Sequence, residues 1–283
     1  LYEVIIDLGL TIRKILVEKG LTQKEVCKGI VTMSYYSRIE RNISEPTISV
    51  FLEILQRLNI SFDEFMFIHL NYKESSSDFW WYRLSDLYHS GNIEELQKIN
   101  TILETSSNKN DLQYIVQLCI TRLRGNIPEP NENMPIVNKL MTMDLWTSEE
   151  IKIFISIMDI LPLETVTVIV NRILKKRTLY SKSKGFNSPY NKILINSTLL
   201  CIDASQFSKA KKYLIEYQKS LDTRDFYGRA MAVYLEGLLL VMTGDSTTGK
   251  QKINRFFDIC ESLDLNHFSK KYKDYFERLT NKK

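Results

Sequence analysis

The chain has 283 residues, 44% of them hydrophobic, with 38 Lys and Arg against 34 Asp and Glu for a formal charge of +4. That length favours about two domains, and only 10 Gly and 6 Pro favour long helices over a many-turned sheet protein. A membrane span, a secretory leader, a disulfide framework and a metal site are all unsupported: no apolar run approaches about 18 residues, no basic-then-apolar start is seen, and neither the four cysteines (Cys27, Cys119, Cys201, Cys260) nor the three histidines (His69, His89, His267) have ligand or C-x-x-C spacing. The expectation is an all-α cytoplasmic protein with buried free thiols and no cofactor.

The first helix is predicted from about Asp7 to Lys19, with Leu8, Ile12, Ile15 and Leu16 as its buried stripe and Gly20 as its left-handed stop. Thr22-Gln23-Lys24-Glu25 is a capping box that opens a second helix to about Gly29, with Val26 and Cys27 inward. Thr32 caps a third helix through Ser37-Arg38-Ile39-Glu40-Arg41-Asn42, in which Tyr36 and Ile39 face the core. Ile48, Phe51, Leu52, Ile54, Leu55 and Leu58, behind the cap Thr47, make a fourth helix, and Ser61-Phe62-Asp63-Glu64-Phe65 opens a fifth.

Five short helices with a tight turn between the second and third form a helix-turn-helix. The first turn of such a third helix enters the major groove, where short side chains meet base edges. Thr32, Met33, Ser34, Tyr35 and Ser37 stand on that face, Tyr35 being divided between core and DNA. Arg38 and Arg41, with Gln23 at the start of helix two, reach phosphates. Arg13 and Glu40 are expected to pair between helices one and three. Residues 1–72 carry eight basic and nine acidic side chains, so phosphate attraction must come from placement and not from net charge.

Residues 71–78 are polar and Ser-rich and read as a linker, with Ser77 or Asp78 capping the next helix, so that residues 1–70 form one domain and 79–283 another. Helical period then dominates, with helices near 79–90, 93–105, 111–124, 132–143, 148–160, 163–182, 189–204, 207–221, 225–243, 246–262 and 265–280. Antiparallel helix pairs of about 34–40 residues stack into a solenoid, here a degenerate, tetratricopeptide-like one. In 189–204, Ile193, Leu194, Ser197, Leu200 and Cys201 make one stripe and Asn191, Ile195, Thr198 and Ile202 a second. In 225–243, Tyr227, Met231, Tyr234, Leu238 and Met242 make one stripe; Arg229, Val233, Glu236 and Leu240 make a mixed second. Such second stripes either pack helices or line a groove in which Asn191 and its like bond the backbone of an extended peptide. Gly244 to Lys250 nearly matches a phosphate-cradling loop, but Gln251 lacks the hydroxyl for magnesium and the flanking period is helical, so it reads as a turn with Gly244 as a helix stop. No catalytic motif appears, and an enzyme is not expected.

Residues 8–66 resemble the phage-repressor type of helix-turn-helix, with a turn between Cys27 and Thr32 one residue shorter than usual and Asn42 where that form has Gly. Nearly the whole chain resembles the Rgg/MutR regulators of Gram-positive bacteria. The resemblance rests on Ser37-Arg38-Ile39-Glu40-Arg41, on Leu58 to Phe65, on Leu194 to Asp203, on Tyr213-Leu214-Ile215-Glu216, on Tyr234-Leu235-Glu236-Gly237 and on Gly244 to Lys250. It implies a DNA-binding homodimer that takes a short hydrophobic peptide on the concave face of its body. It also implies that Asn196 turns to the peptide, that Tyr234 is an inward aromatic, and that Asp159 stands where some members carry Arg, which suits a neutral or basic peptide. Two other readings stay open: a dimeric regulator without a ligand, and a helical interaction scaffold.

Overall fold

The computed structural model describes residues 8–72, 76–105, 111–126, 135–180 and 187–281, and among these every regular element is a helix. The chain divides into two compact units, residues 1–96 and 97–283.

The first unit opens with α1 (Leu8–Glu18), α2 (Gln23–Cys27), α3 (Met33–Glu40), α4 (Ile48–Arg57) and α5 (Phe62–His69). None is long enough to be stable alone, and four of the five start on a side chain that accepts an amide of their own first turn: Thr22, Thr32, Thr47 and Ser61. Thr22 with Glu25 and Ser61 with Glu64 form complete capping boxes. The free ends are tied by longer side chains. Lys19 Nζ donates to the carbonyls of Leu58 (2.8 Å) and Asn59 (3.0 Å), and Arg57 donates to those of Glu25 (2.8 Å) and Lys28 (3.0 Å). Ile12, Ile15, Val26, Tyr36, Ile39, Ile54, Leu58 and Phe65 close one core, with Phe51 and Phe65 edge to face at 5.0 Å.

Gly9 and Asn42 fix how α1 meets α3. A β-carbon at Gly9 would stand 1.9 Å from the Ile39 carbonyl oxygen, so only glycine permits the contact. Asn42 holds φ at 54°, in the left-handed region, and its side chain accepts the Gly9 amide at 2.8 Å. This accounts for an asparagine at the expected glycine position: it tolerates the turn and supplies a bond glycine cannot.

α6 (Ser76–His89) begins earlier than the sequence suggested, so Ser77 and Asp78 lie within its first turn rather than at its cap. α7 (Ile93–Thr105) spans the boundary between the units.

The second unit continues with α8 (Asp111–Leu123), α9 (Pro135–Thr142), α10 (Ser148–Ile157) and a 3-10 turn at Met158–Ile160, then α11 (Leu163–Tyr180), α12 (Asn187–Asp203), α13 (Phe207–Ser220), α14 (Phe226–Thr243), α15 (Ser246–Ser262) and α16 (Asn266–Asn281). The helices α8, α10, α12 and α14 pack on one another in turn, an inner row; α13 lies against both α12 and α14, and α15 against α14. Gly237 and Gly249 let α14 and α15 touch backbone to backbone, since a β-carbon on either would come within 2.9 Å of the other's carbonyl oxygen. Gly244 ends α14 in the left-handed conformation (φ 114°), Asp245 caps α15, and Gly249 is buried within α15, so the stretch resembling a phosphate loop is a helix-to-helix turn. α14 is long and apolar enough to cross a membrane by length and composition, but half of it is buried inside the fold. All four cysteines are buried and unpaired.

Candidate functional site

On α3 the residues divide as the period requires. Tyr36 and Ile39 are buried, while Thr32, Met33, Ser34, Arg38 and Arg41 are exposed and Tyr35 and Ser37 half-buried. Thr32 accepts the Tyr35 amide at 3.3 Å, which fixes the start of the helix. Arg41 folds its Nε back onto the Ser37 carbonyl at 3.1 Å, leaving the other guanidinium donors outward. Tyr35 lies along the surface, and its hydroxyl donates to the Glu45 carbonyl at 3.0 Å. The result is a capped helix with a short-chained first turn and two cations farther along, the shape that enters a major groove and grips its phosphates.

Glu40 did not take the partner expected of it. It is 2% exposed, and its Oε2 accepts the Gln23 amide at 2.5 Å, while Arg13 is solvent-exposed. Gln23, at the first position of α2, lies across the last turn of α3 and reaches the carboxylate from there. Burial, and then the Glu40 charge, push the Tyr36 phenol far above its ordinary range, so Tyr36 is a neutral packing group. Gln23 is half-buried and one amide hydrogen remains for a phosphate.

In the second unit, α12 buries most of both stripes read from the sequence: Ile193, Leu194, Ser197 and Cys201 on one side, Ile195, Thr198 and Ile202 on the other, with Leu200 and Asn191 only half-buried. Among its described side chains, Lys192, Asn196, Leu199, Leu200 and Asp203 keep exposure along one strip with Asn196 in its middle, and Pro189 and Asn191 keep some near the start of the helix. On α10 Lys152, Ile155 and Ser156 keep exposure, as does Asp159 in the 3-10 turn that follows. Asp159 is not a free anion. Arg122 of α8 donates to it at 2.6 Å and to the Ser156 carbonyl at 3.0 Å.

The other three residues singled out on the body lie elsewhere. Asn191 accepts the Ser220 hydroxyl at 2.6 Å, so it joins α12 to α13. Tyr234 has no exposed surface. Its ring is enclosed by Phe256, Phe257 and Tyr272, with centroids at 4.9, 6.1 and 5.2 Å, and its hydroxyl donates to the Tyr272 carbonyl at 2.8 Å. Arg229 shares its stripe with Glu236, which bonds Lys252 of α15 at 3.2 Å, and with Leu240, which joins α13 in a cleft of about 450 Å³. Two residues turn a helix by about 200°, so Tyr234 and Glu236 leave α14 on different sides: Tyr234 is closed in between α15 and α16, and Glu236 meets Lys252 of α15 and the cleft against α13. Tyr275 of α16 donates to the Leu199 carbonyl at 3.4 Å, on the Asn196 strip. Asn196 is half-buried on α12 and Asp159 exposed just after α10, two helices that pack on each other, while Asn191 bonds α13, Arg229 is exposed on α14 and Tyr234 is enclosed. Arg122, the partner of Asp159, was missed because the ion pair joins residues 37 apart in sequence.

Comparison with known proteins agrees with this architecture. A family model described as HTH-type transcriptional regulator Rgg, C-terminal domain, matches residues 93–274, and a helix-turn-helix model matches residues 12–65. Among solved structures, a putative transcriptional regulator from Listeria monocytogenes EGD-e is similar at 24% identity and TM-score 0.85, covering 98% of each chain. The SHP pheromone receptor Rgg2 of Streptococcus dysgalactiae is similar at 19% identity and TM-score 0.79, covering 96% of this chain and 99% of that one. The PrgX/cCF10 complex is similar at 16% identity and TM-score 0.76, covering 99% and 94%. At these identities the structural likeness speaks for the fold.

Proposed function

The chain belongs to the Rgg family of helix-turn-helix transcriptional regulators, a DNA-binding class, and from that premise we propose that it is a cytoplasmic homodimer whose DNA affinity is set by a short hydrophobic peptide bound to the body. The observation that carries the DNA half is α3: an exposed first turn of Met33 and Ser34, capped by Thr32, followed by exposed Arg38 and Arg41. The observation that carries the peptide half is Asn196, accessible on an inner-row helix whose other sides are packed. Two heads held about 34 Å apart would read half-sites one turn of duplex apart. A ligand that favours one arrangement of the heads by about 1–3 kcal/mol changes DNA affinity roughly 5–150-fold. Similar structures named as a pheromone receptor and as a bacterial peptide pheromone/receptor complex support the reading.

The test is selection of a duplex from random sequence, then fluorescence anisotropy across a salt series. Arg38→Ala and Arg41→Ala should each lower the slope of log affinity against log salt by about 1. An unchanged slope in both would overturn the role given to these residues. A second reading, a dimeric regulator with no ligand, is favoured by one observation: Tyr234 is wholly enclosed by the body's own aromatic side chains.

A further inference from the structure

The chain leaves α5 through a strained turn. Leu70 closes the helix, and the next two residues, Asn71 (φ 54°) and Tyr72 (φ 61°), are both left-handed. Asparagine tolerates that region. An aromatic residue is a rare occupant, because its β-carbon is crowded against the following carbonyl oxygen.

The ring of Tyr72 accounts for the turn. Lys14 Nζ of α1 lies over it, 5.2 Å from the centroid, and the Phe67 ring of α5 meets it edge to face at 5.6 Å. The Tyr72 amide donates to the Phe67 carbonyl at 2.7 Å and the Asn71 amide to that of Ile68 at 3.0 Å, so the turn folds back on α5. Beside it, the Thr11 hydroxyl of α1 meets His69 Nδ1 at 2.8 Å, and His69 stacks on Phe65 at 5.9 Å. The end of α5 and the residues after it are thus fastened to α1 twice, at Thr11–His69 and at Lys14–Tyr72.

The outer of these two fastenings adds nothing to the core. Tyr72 is 55% exposed and Phe67 44%, Lys14 is exposed, and the core of α1 to α5 closes without either ring. A left-handed tyrosine costs about as much as two exposed ring contacts return, so the latch is held but weakly. What it fixes is direction. With the ring seated, Tyr72 moves as part of the head; with the ring released, rotation about Asn71 and Tyr72 is open, as at a hinge.

We propose that Tyr72 is a positioning residue for DNA binding: seated on Lys14 and Phe67, it holds the exit of each head in one direction and so limits the half-site spacings that the two heads of a dimer can read. The proposal rests on the homodimer reading above and adds the contact that sets the spacing. Release of the ring lets each head turn on the chain that follows, which widens the accepted spacings and leaves unchanged what one head reads.

Two measurements on the full-length protein test it. The first is hydrogen exchange at the residue-72 amide. Tyr72→Ala keeps the crowded backbone and loses the ring, and should exchange about tenfold faster. Lys14→Ala should exchange about threefold faster, and Tyr72→Phe, which keeps the ring, should match the wild type. Exchange in Tyr72→Ala as slow as in the wild type would overturn the latch. The second is binding to the selected duplex, to copies with its half-sites moved by one and two base pairs, and to a single half-site. The wild type and Tyr72→Phe should lose about tenfold or more at the altered spacings, and Tyr72→Ala less than about threefold, with all three alike on the single half-site. A wild-type spacing profile in Tyr72→Ala would overturn the proposal and leave the dimer reading intact. Weaker binding of Tyr72→Ala to the single half-site would also overturn it, because damage to the head itself would act there. A selected duplex with one half-site only would overturn the dimer reading, and the spacing role with it.

Discussion

In the head, four successive helices of five to ten residues each start on a side chain that holds their own first turn, Thr22, Thr32, Thr47 and Ser61. In the body, α13 has fourteen residues and begins at Gln206 with no side-chain cap; it is held by burying Ala210, Tyr213, Leu214 and Tyr217. Short helices bury too little to hold themselves, so their ends are pinned locally and one face of α3 stays free for base edges. Long helices are held along their sides, and most of their surface goes to neighbours, so the accessible strips of α10 and α12 are narrow. Where the head displays, the body encloses.

Substitutions sharpen that contrast, the largest at the body's aromatic centre. Tyr234→Ala empties a site bounded by three aromatic rings and should cost about 4 kcal/mol, read as a lower urea midpoint of the body, with the hydrogen-exchange protection of α1 and α3 unchanged. Gly9→Ala acts the other way, driving a β-carbon into the Ile39 carbonyl. It should cost about 3 kcal/mol and strip protection from α1 and α3 while α12 to α15 keep theirs. Loss of a single cap is milder: Ser61→Ala should cost about 1 kcal/mol, confined to α5 and its neighbours. Equal loss across both units in any of these would break the contrast.

The smallest effect is in pH. Hydrogen bonds from Thr22 hold the Glu25 carboxyl below its ordinary range, and those from Ser61 do the same for Glu64. A carboxyl whose pKa is lower folded than unfolded adds stability above its unfolded value of about 4.3, and that stability is lost as pH falls through the folded value. The head should therefore weaken below about pH 4 more steeply than a Thr22→Ala/Ser61→Ala variant. Parallel acid curves for the two would contradict the role of the capping boxes.

The head was nearly all legible in the sequence because its determinants are local. Every cap lies three residues from the amide it holds, and Asn42 stands just past the end of the helix it stops. What failed there was the one contact that is not local: Glu40 takes Gln23 and not Arg13, which depends on how α2 lies across the end of α3. In the body, the period placed each described helix to within about three residues. What covers the Tyr234 side of α14 was not legible. α16 returns to bond α12 at Leu199 and closes over Tyr234, while Glu236 on the other stripe of α14 bonds Lys252 of α15. Only the path of the chain in space decides that.

The central claim, that peptide occupancy of the body sets the affinity of the head for DNA, is tested most directly by one measurement. Full-length protein is titrated against its selected duplex by anisotropy, with and without a saturating short hydrophobic peptide selected for binding to it, and Asn196→Ala is run alongside. The account predicts a shift in DNA affinity of roughly 5–150-fold that disappears in the variant at the same peptide concentration. Identical DNA affinity at full peptide occupancy would contradict it, because a ligand that binds both arrangements of the heads equally switches nothing.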